Sequence, residues 1–180
     1  MHNIHNIMEI VQLNANAKLS EHLASPSEAA LSHLSELNGL RLSPHFSLGE
    51  LTKTNYVTKD GNFPSRVAIE NLTNICENWL EALRQAQGPL IINSGYRSPE
   101  VNKLAGGAPT SNHLTGCAVD IHVSGFEQAV RYASILLDIS DGTKRDYDEL
   151  FIEKNKTGSH WIHFAVRPKD NRRKSGFIKV

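Results

Sequence analysis

The sequence contains too few cysteines for a protein that depends on disulfides or on thiolate clusters. It has two, Cys76 and Cys117, which stand far apart and form no CxxC pair. The number and the spacing of the cysteines therefore exclude a disulfide framework and a four-cysteine zinc cluster. We expect both residues to be small, buried, apolar side chains.

An excess of charge of either sign is also missing. Nineteen basic residues balance nineteen acidic ones, so the formal net charge is zero. Proteins that follow a phosphate backbone carry a basic surface, which this composition does not provide. The sequence therefore predicts no nucleic-acid partner.

Long apolar runs are absent as well. No stretch of about 18 apolar residues occurs, so no membrane-spanning helix is predicted. Residues 1–20 show neither the basic start nor the unbroken apolar stretch of a secretion signal. We therefore expect a protein that is cytoplasmic as synthesised.

The 180 residues suffice for one hydrophobic core with an extension on its N-terminal side. Residues 1–41 carry leucines near helical spacing, interrupted by a Ser-Pro-Ser segment at 25–27. This pattern predicts a helical extension of two short amphipathic helices. Residues 42–180 are predicted to form the main domain.

The main domain mixes helical and strand patterns. Apolar residues at helical spacing predict a long helix over 64–87 and another over 126–139. Strands are predicted in four stretches, and the last two are separated by a short turn, which indicates a hairpin. The pattern predicts an α+β fold with a mostly antiparallel sheet and helices packed around it. The predicted strands cover 90–93, 116–123, 147–154 and 159–166.

Polar residues in apolar surroundings mark the first candidate site, in the segment SNHLTGCAVD at 111–120. A carboxylate inside a buried strand, as Asp120 would be, is costly unless it is paired or binds a metal. His113 precedes it on a polar loop and is either a ligand or a surface histidine. His122 lies on the same strand face as Asp120 and competes as a ligand or as a supporting residue.

A second group of histidines occurs in the predicted strand SHWIH at 159–163. Alternation along a strand places His163 and His160 on opposite faces, unless a bulge or turn brings His160 to the same cavity. Upstream, Arg97 follows a strand end, where it would either bind a carboxylate and stabilise developing charge, or form a surface salt bridge.

These segments together resemble one known group of enzymes. Residues 111–120 match a Ser-x-His-x-x-Gly-x-Ala-x-Asp motif, residues 161–163 match Trp-x-His, and residues 96–98 match an upstream Tyr-Arg-Ser. In order and spacing they resemble the peptidase M15-like family of zinc D-alanyl-D-alanine carboxypeptidases, VanX-type dipeptidases and L-alanyl-D-glutamate endolysins. The resemblance covers residues 42–166 and implies a hedgehog/DD-peptidase-like fold.

The resemblance implies roles for individual residues. His113, Asp120 and His163 would bind Zn2+, with water as the fourth ligand. Arg97 would stabilise the oxyanion or hold a substrate carboxylate, and Ser111 would line the substrate site.

The sequence departs from the family at the general base. Dipeptidases and endolysins of this group have a glutamate three residues before the last ligand, where this chain has His160. A histidine can accept a proton at neutral pH, so His160 is the expected base. Glu149 and Glu153, on the preceding strand, are the alternatives.

The implied function is a zinc peptidase that hydrolyses peptidoglycan stem peptides, at a D-Ala-containing bond, as a carboxypeptidase or an endopeptidase. The alternative is a non-catalytic zinc-containing cell-wall-binding or structural protein of the same fold, as hedgehog domains illustrate. We expect a monomer, which would reach the cell wall by release from the cytoplasm if it is phage-derived.

Overall fold

The computed structural model describes residues 38–180. The two helices predicted from the leucine pattern of residues 1–41 therefore lie almost wholly outside the described residues. The boundary between residues 41 and 42 remains a prediction.

Helical segments open the described chain, helices and strands are then interspersed, and the last three strands follow one another. Two segments have other helical forms, a π-helical segment, Cys76–Leu80, and a 3₁₀ helix, Asn112–Thr115. In chain order the other elements are α1 (Leu48–Thr52), α2 (Arg66–Ile75), α3 (Glu81–Gln87), β1 (Ile92–Ser94), α4 (Pro99–Leu104), β2 (Ala118–His122), α5 (Phe126–Thr143), β3 (Glu149–Lys154), β4 (His160–Ala165) and β5 (Lys174–Lys179).

The long helix predicted over 64–87 is present as the continuous run α2, π segment and α3. Ser65 caps its start by accepting a hydrogen bond from the backbone N–H of Ala68, and Gly88 ends it with φ at +84°. The wider π turn in the middle was not predictable from apolar spacing. It holds Cys76, Trp79 and Leu80 in the core.

The five strands form one sheet in the order β1-β2-β4-β3-β5. The predicted hairpin is confirmed, because β3 and β4 are adjacent and antiparallel. All neighbouring pairs are antiparallel except β3 and β5, which are parallel. The prediction of an α+β fold with a mostly antiparallel sheet is therefore confirmed.

The two faces of the sheet have different surroundings. Ile162 and Phe164 of β4 are fully buried, and Phe164 packs against Trp79 of the π segment with ring centroids 5.0 Å apart. Helix α5 also contacts β3 and β4. By strand alternation, Trp161 and His163 point to the opposite face, which leaves that face available for polar side chains.

Both cysteines are buried and free, which confirms the prediction from their spacing. Within residues 38–180, no helix combines the length and the apolar character needed to cross a membrane.

Gly116 allows the 3₁₀ helix to pack closely on α2. Its φ is +70°, and it ends the 3₁₀ helix by donating its N–H to backbone carbonyls. A Cβ at this position would lie 2.3 Å from the backbone oxygen of Ala68. Only glycine therefore meets both the conformational and the steric requirement.

Replacing Gly116 with Ala should lower the free energy of unfolding by about 3 kcal/mol, since left-handed strain of roughly 1–2 kcal/mol is added to a backbone clash. Gly106→Ala is the matched control, because Gly106 has φ +72° but open space around its Cα. The free energy of unfolding of this control should fall by about 1 kcal/mol. Urea unfolding measures both, and equal losses would contradict the packing argument.

Candidate metal centre

Strand pairing brings together two residues that are far apart in sequence. In the register of β2 and β4, Asp120 lies directly opposite His163. The 3₁₀ helix that leads into β2 brings His113 to the same place. These three residues are the one group of potential metal ligands found within residues 38–180, and their ligand atoms lie within 4.8 Å of one another.

The distances from the Asp120 carboxylate to the two imidazoles suit a small tetrahedral ion. Oδ1 of Asp120 lies 3.3 Å from Nε2 of His113 and 3.0 Å from Nδ1 of His163. A tetrahedral zinc site with bonds of about 2.0–2.1 Å separates neighbouring ligand atoms by about 3.3 Å. Two imidazoles and one carboxylate are also a donor set that zinc prefers. The residues present therefore fit the ion.

His113 is oriented by the loop that contains Arg97. Its Nδ1 lies 2.6 Å from the backbone oxygen of Gly95. A carbonyl only accepts, so Nδ1 carries a proton and Nε2 is the ring nitrogen that faces Asp120. In return, the backbone N–H of Arg97 donates to the backbone oxygen of His113 at 3.1 Å. The two loops are thus joined by a reciprocal pair of hydrogen bonds.

Asp120 is a buried carboxylate, 7% exposed. Burial by itself would raise its pKa, but the charges and hydrogen bonds of His113 and His163 outweigh burial and hold the pKa well below its usual range. Arg97 donates to the second oxygen, Oδ2, and Ser94 accepts from Nε of Arg97 at 2.8 Å. Oδ1 is thereby left facing the histidines.

His163 contacts a carboxylate at each ring nitrogen. Nδ1 faces Asp120, and Nε2 lies 3.4 Å from Oε2 of Glu149. Burial favours the neutral ring, but the hydrogen bonds with Asp120 and Glu149 outweigh it and raise the pKa to about 9. The hydrogen bond with His163 is also the main cause that lowers the pKa of Glu149. Glu149 is therefore an ionised partner that orients His163.

The structure does not bring His160 into this group. His160 is the first residue of β4, and its ring packs on Phe126 at the start of α5, with centroids 5.7 Å apart. It therefore lies on the helix-covered side of β4, whereas His163 lies on the other. No bulge in the β3–β4 or β2–β4 register reverses this arrangement.

Glu153 shares the face of His163. It stands opposite Trp161 in the register of β3 and β4, two positions along β3 from the partner of His163. Burial raises the pKa of Glu153, the positive charge of His163 opposes the rise, and the charge of Asp120 adds to it. These couplings place Glu153 within electrostatic reach of the donor set.

Ser111 and His122 have roles at the edges of the site. Ser111 is the N-cap of the 3₁₀ helix, and its hydroxyl accepts from the backbone N–H of His113 at 3.3 Å. It thus lies directly beside a candidate ligand. His122 is exposed at the end of β2 and is not part of the donor group.

Asn62 is a supporting residue that the sequence pattern did not reveal. Its amide nitrogen donates to the backbone oxygens of Thr52 and Tyr96, and its oxygen accepts from the N–H of Ser98 at 2.6 Å. The Asn62 side chain therefore holds the backbone on both sides of Arg97. The only sequence signal was a polar residue in a loop, which does not indicate a long-range contact.

Asp148 forms a second buried centre of charge next to the site, with its side chain fully buried. It accepts hydrogen bonds from Arg172 and from the amide of Asn112, and forms an ion pair with Arg167 at 2.9 Å. Burial would raise the pKa of Asp148, but these contacts outweigh burial and lower it to about 2. Because Asn112 precedes His113, this centre also fixes the start of the 3₁₀ helix that carries His113.

Comparison with known families assigns the chain. A family model described as Peptidase M15 matches residues 44–146, which is more than half of the chain. The chain belongs to the peptidase M15 family. The matched range contains Arg97, His113 and Asp120, whereas His163 on β4 lies beyond it. The family resemblance inferred from the motifs is thus confirmed.

One curated relative of this peptidase M15 chain aligns with part of it. The zinc D-Ala-D-Ala carboxypeptidase of Streptomyces albus G is 34% identical over 80 residues. The alignment covers 43% of this chain and 31% of the relative, so the chain spans less than a third of that protein's length.

Asp148→Asn should lower the free energy of unfolding by about 3 kcal/mol at neutral pH, because it removes the buried negative charge that pairs with the partly exposed Arg167 and Arg172. The folded pKa near 2 lies below the usual value of 3.8, so this stabilisation is complete above about pH 4 and lost as the pH falls toward 2. Urea unfolding at several pH values should show the gap between wild type and variant closing over that range. Asp138→Asn, at an exposed position of α5, is the control, and a gap independent of pH would contradict the assignment.

Proposed function

We propose that this chain is a zinc-dependent peptidase that hydrolyses peptidoglycan stem peptides at a D-Ala-containing bond. The observation that carries the proposal is the largely buried set of two imidazoles and one carboxylate, in which the carboxylate oxygen lies at tetrahedral ligand spacing from each imidazole. Membership of a peptidase family supports hydrolysis of a peptide, and the similarity to a zinc D-Ala-D-Ala carboxypeptidase supports both the metal and the bond.

His113, Asp120 and His163 would hold the zinc, through Nε2, Oδ1 and Nδ1. Bound there, zinc would act as a Lewis acid toward a peptide carbonyl and toward water. The rest of the chemistry falls to side chains around the donor set.

Arg97 would serve both the carboxylate ligand and the substrate. Two of the five N–H donors of its guanidinium are used by Ser94 and Asp120, which fixes the plane of the group. We propose that the remaining donors stabilise the oxyanion of the attacked carbonyl or bind a substrate carboxylate. Ser111, beside His113, would line the same side of the substrate site.

Glu153 is the general base that we propose, in place of His160. It lies on the face of the sheet that carries the donor set, and its raised pKa brings it toward the range in which a carboxylate accepts a proton and then releases it. Glu153 would take the proton from the attacking water and return it to the leaving amine. Glu149 is already engaged by His163, Asn112 and Arg172 and would orient the ligand instead.

Protein purified without chelator should contain close to one zinc per chain and should shorten purified stem peptides that end in D-Ala-D-Ala. Elemental analysis and mass spectrometry of the digest measure the two results. Removal of zinc with a chelator should abolish hydrolysis, and added zinc should restore it, since the Lewis acid is required. A chain without zinc would overturn the proposal, whereas zinc without any peptide cleavage would support the non-catalytic, wall-binding alternative.

Glu153→Gln should reduce kcat by roughly 10²–10⁴-fold with the zinc content unchanged, because the glutamine retains the shape but cannot accept the proton. His160→Gln decides between the two candidate bases, since it changes a residue on the other side of β4. Stem-peptide hydrolysis by both variants, with zinc content measured in parallel, tests the assignment. If His160→Gln is inactive and Glu153→Gln is active, His160 is the base.

A further inference from the structure

The ring of His163 is held by Glu149 on the side away from the other donor atoms. Nε2 of His163 lies 3.4 Å from Oε2 of Glu149, whereas Nδ1 faces Asp120. A carboxylate at Nε2 keeps the proton there and leaves Nδ1 free to bind a metal. How well His163 is oriented therefore depends on how firmly Glu149 is held.

Glu149 is fixed by two residues, one at each carboxylate oxygen. The amide nitrogen of Asn112 donates to Oε2 at 3.0 Å, and Nη2 of Arg172 donates to Oε1 at 2.6 Å. Asn112 comes from the 3₁₀ helix next to His113. Arg172 comes from the segment between β4 and β5, beyond the range that matches the family model.

Arg172 is in turn held by the buried Asp148. Nε and Nη2 of Arg172 lie 2.7 and 2.5 Å from the two oxygens of Asp148, which is a two-point contact, and the backbone N–H of Arg172 also donates to Asp148 at 3.2 Å. Asp148 thus fixes the plane of the guanidinium, and the second N–H of Nη2 points to Glu149.

We propose that Arg172 is a positioning residue of the metal site, which raises zinc affinity by holding Glu149 against Nε2 of His163. This inference rests on the proposed function, because it takes His163 to be a zinc ligand. It assigns a role to a residue that contacts none of the three proposed ligands.

Arg173 provides a matched control in the next position. Its side chain is 41% exposed, against 39% for Arg172, and it too forms two ion pairs. Its ion-pair partners are Asp141 in α5 and Asp146 just after it; it also donates to Ser140 and lies over the ring of Tyr147, and none of these residues belongs to the donor set. If zinc affinity falls in the Arg172 variant but not in the Arg173 variant, the fall cannot be assigned to the loss of an ion pair at a partly exposed arginine.

The test is the dissociation constant of zinc, measured by competition with a chromophoric chelator. Removing a carboxylate that supports a metal-bound histidine typically weakens binding about 10–100-fold, so we expect about 10-fold for Glu149→Ala and roughly 3–10-fold for Arg172→Gln. Arg173→Gln should stay within about twofold. In the Glu149→Ala background, Arg172→Gln should have no further effect, because its route to His163 has been removed.

The nitrogen-bound proton of His163 gives a second readout that does not depend on activity. In zinc-loaded wild type, the Nε2–H of His163 should be seen by NMR as a slowly exchanging proton, and Arg172→Gln should accelerate its exchange while Arg173→Gln should not. If Arg172→Gln does not fold, Arg172→Lys takes its place. A lysine keeps the charge against Asp148 but lacks the fork that reaches Glu149, so the same weakening is expected.

The outcomes separate the two proposals. Failure of wild type to bind zinc would overturn both the proposed function and the role of Arg172. Tight binding by wild type, with unchanged affinity in the Arg172 variant or an equal loss in the Arg173 variant, would overturn the role of Arg172 alone. An additive effect of Arg172→Gln on top of Glu149→Ala would also overturn it, since Arg172 would then act by another route.

Discussion

The burial of one carboxylate, that of Asp120, is the constraint on which the site depends. An ionised carboxyl group that has left water must be compensated by charges and hydrogen-bond donors, or it becomes protonated. Here Arg97 compensates one oxygen, and the imidazoles of His113 and His163 face the other. The same arrangement that makes burial of Asp120 tolerable also leaves three donor atoms pointing toward one location.

The antiparallel pairing of β2 with β4 makes this compensation possible. Asp120 and His163 are 43 positions apart in sequence but directly opposite in the register. The core on the other face of the sheet holds that register, because a slip by one residue would turn Ile162 and Phe164 away from the helices. The candidate metal centre on one face thus depends on apolar packing on the other.

The sequence was informative where a pattern has a physical period or a motif. The long helices, the hairpin and the mixed fold class followed from apolar spacing. The motif of residues 111–120 identified His113 and Asp120, and the Trp-x-His segment identified His163, all of which the fold brings together. The free-energy cost of placing a carboxylate in an apolar strand indicated Asp120 independently of the motif.

Other features could not be obtained from the sequence because they depend on pairing between distant segments. His160 satisfied the spacing expected of the base, but strand alternation directs it to the helix-covered face, against Phe126. Glu153 became the better candidate through the register of β3 with β4, which local patterns do not specify. Asn62 and Arg172 are polar residues in loops, where neither period nor motif reveals a partner 20 or more positions away.

The reciprocal hydrogen bonds between the loop of Arg97 and the start of the 3₁₀ helix have a consequence for how this site can vary. The backbone oxygen of Gly95 accepts a hydrogen bond from the His113 ring, and the backbone N–H of Arg97 donates to the backbone oxygen of His113. The segments that carry Arg97 and His113 are therefore tied together. A Cβ on Gly95 would lie 2.2 Å from the backbone oxygen of Leu51 in α1. Helix α1 therefore packs closely against Gly95 and keeps these two segments from shifting toward it. The distance between Arg97 and His113 is therefore fixed by backbone contacts, and variation in this scaffold is more readily accommodated by the surrounding loops.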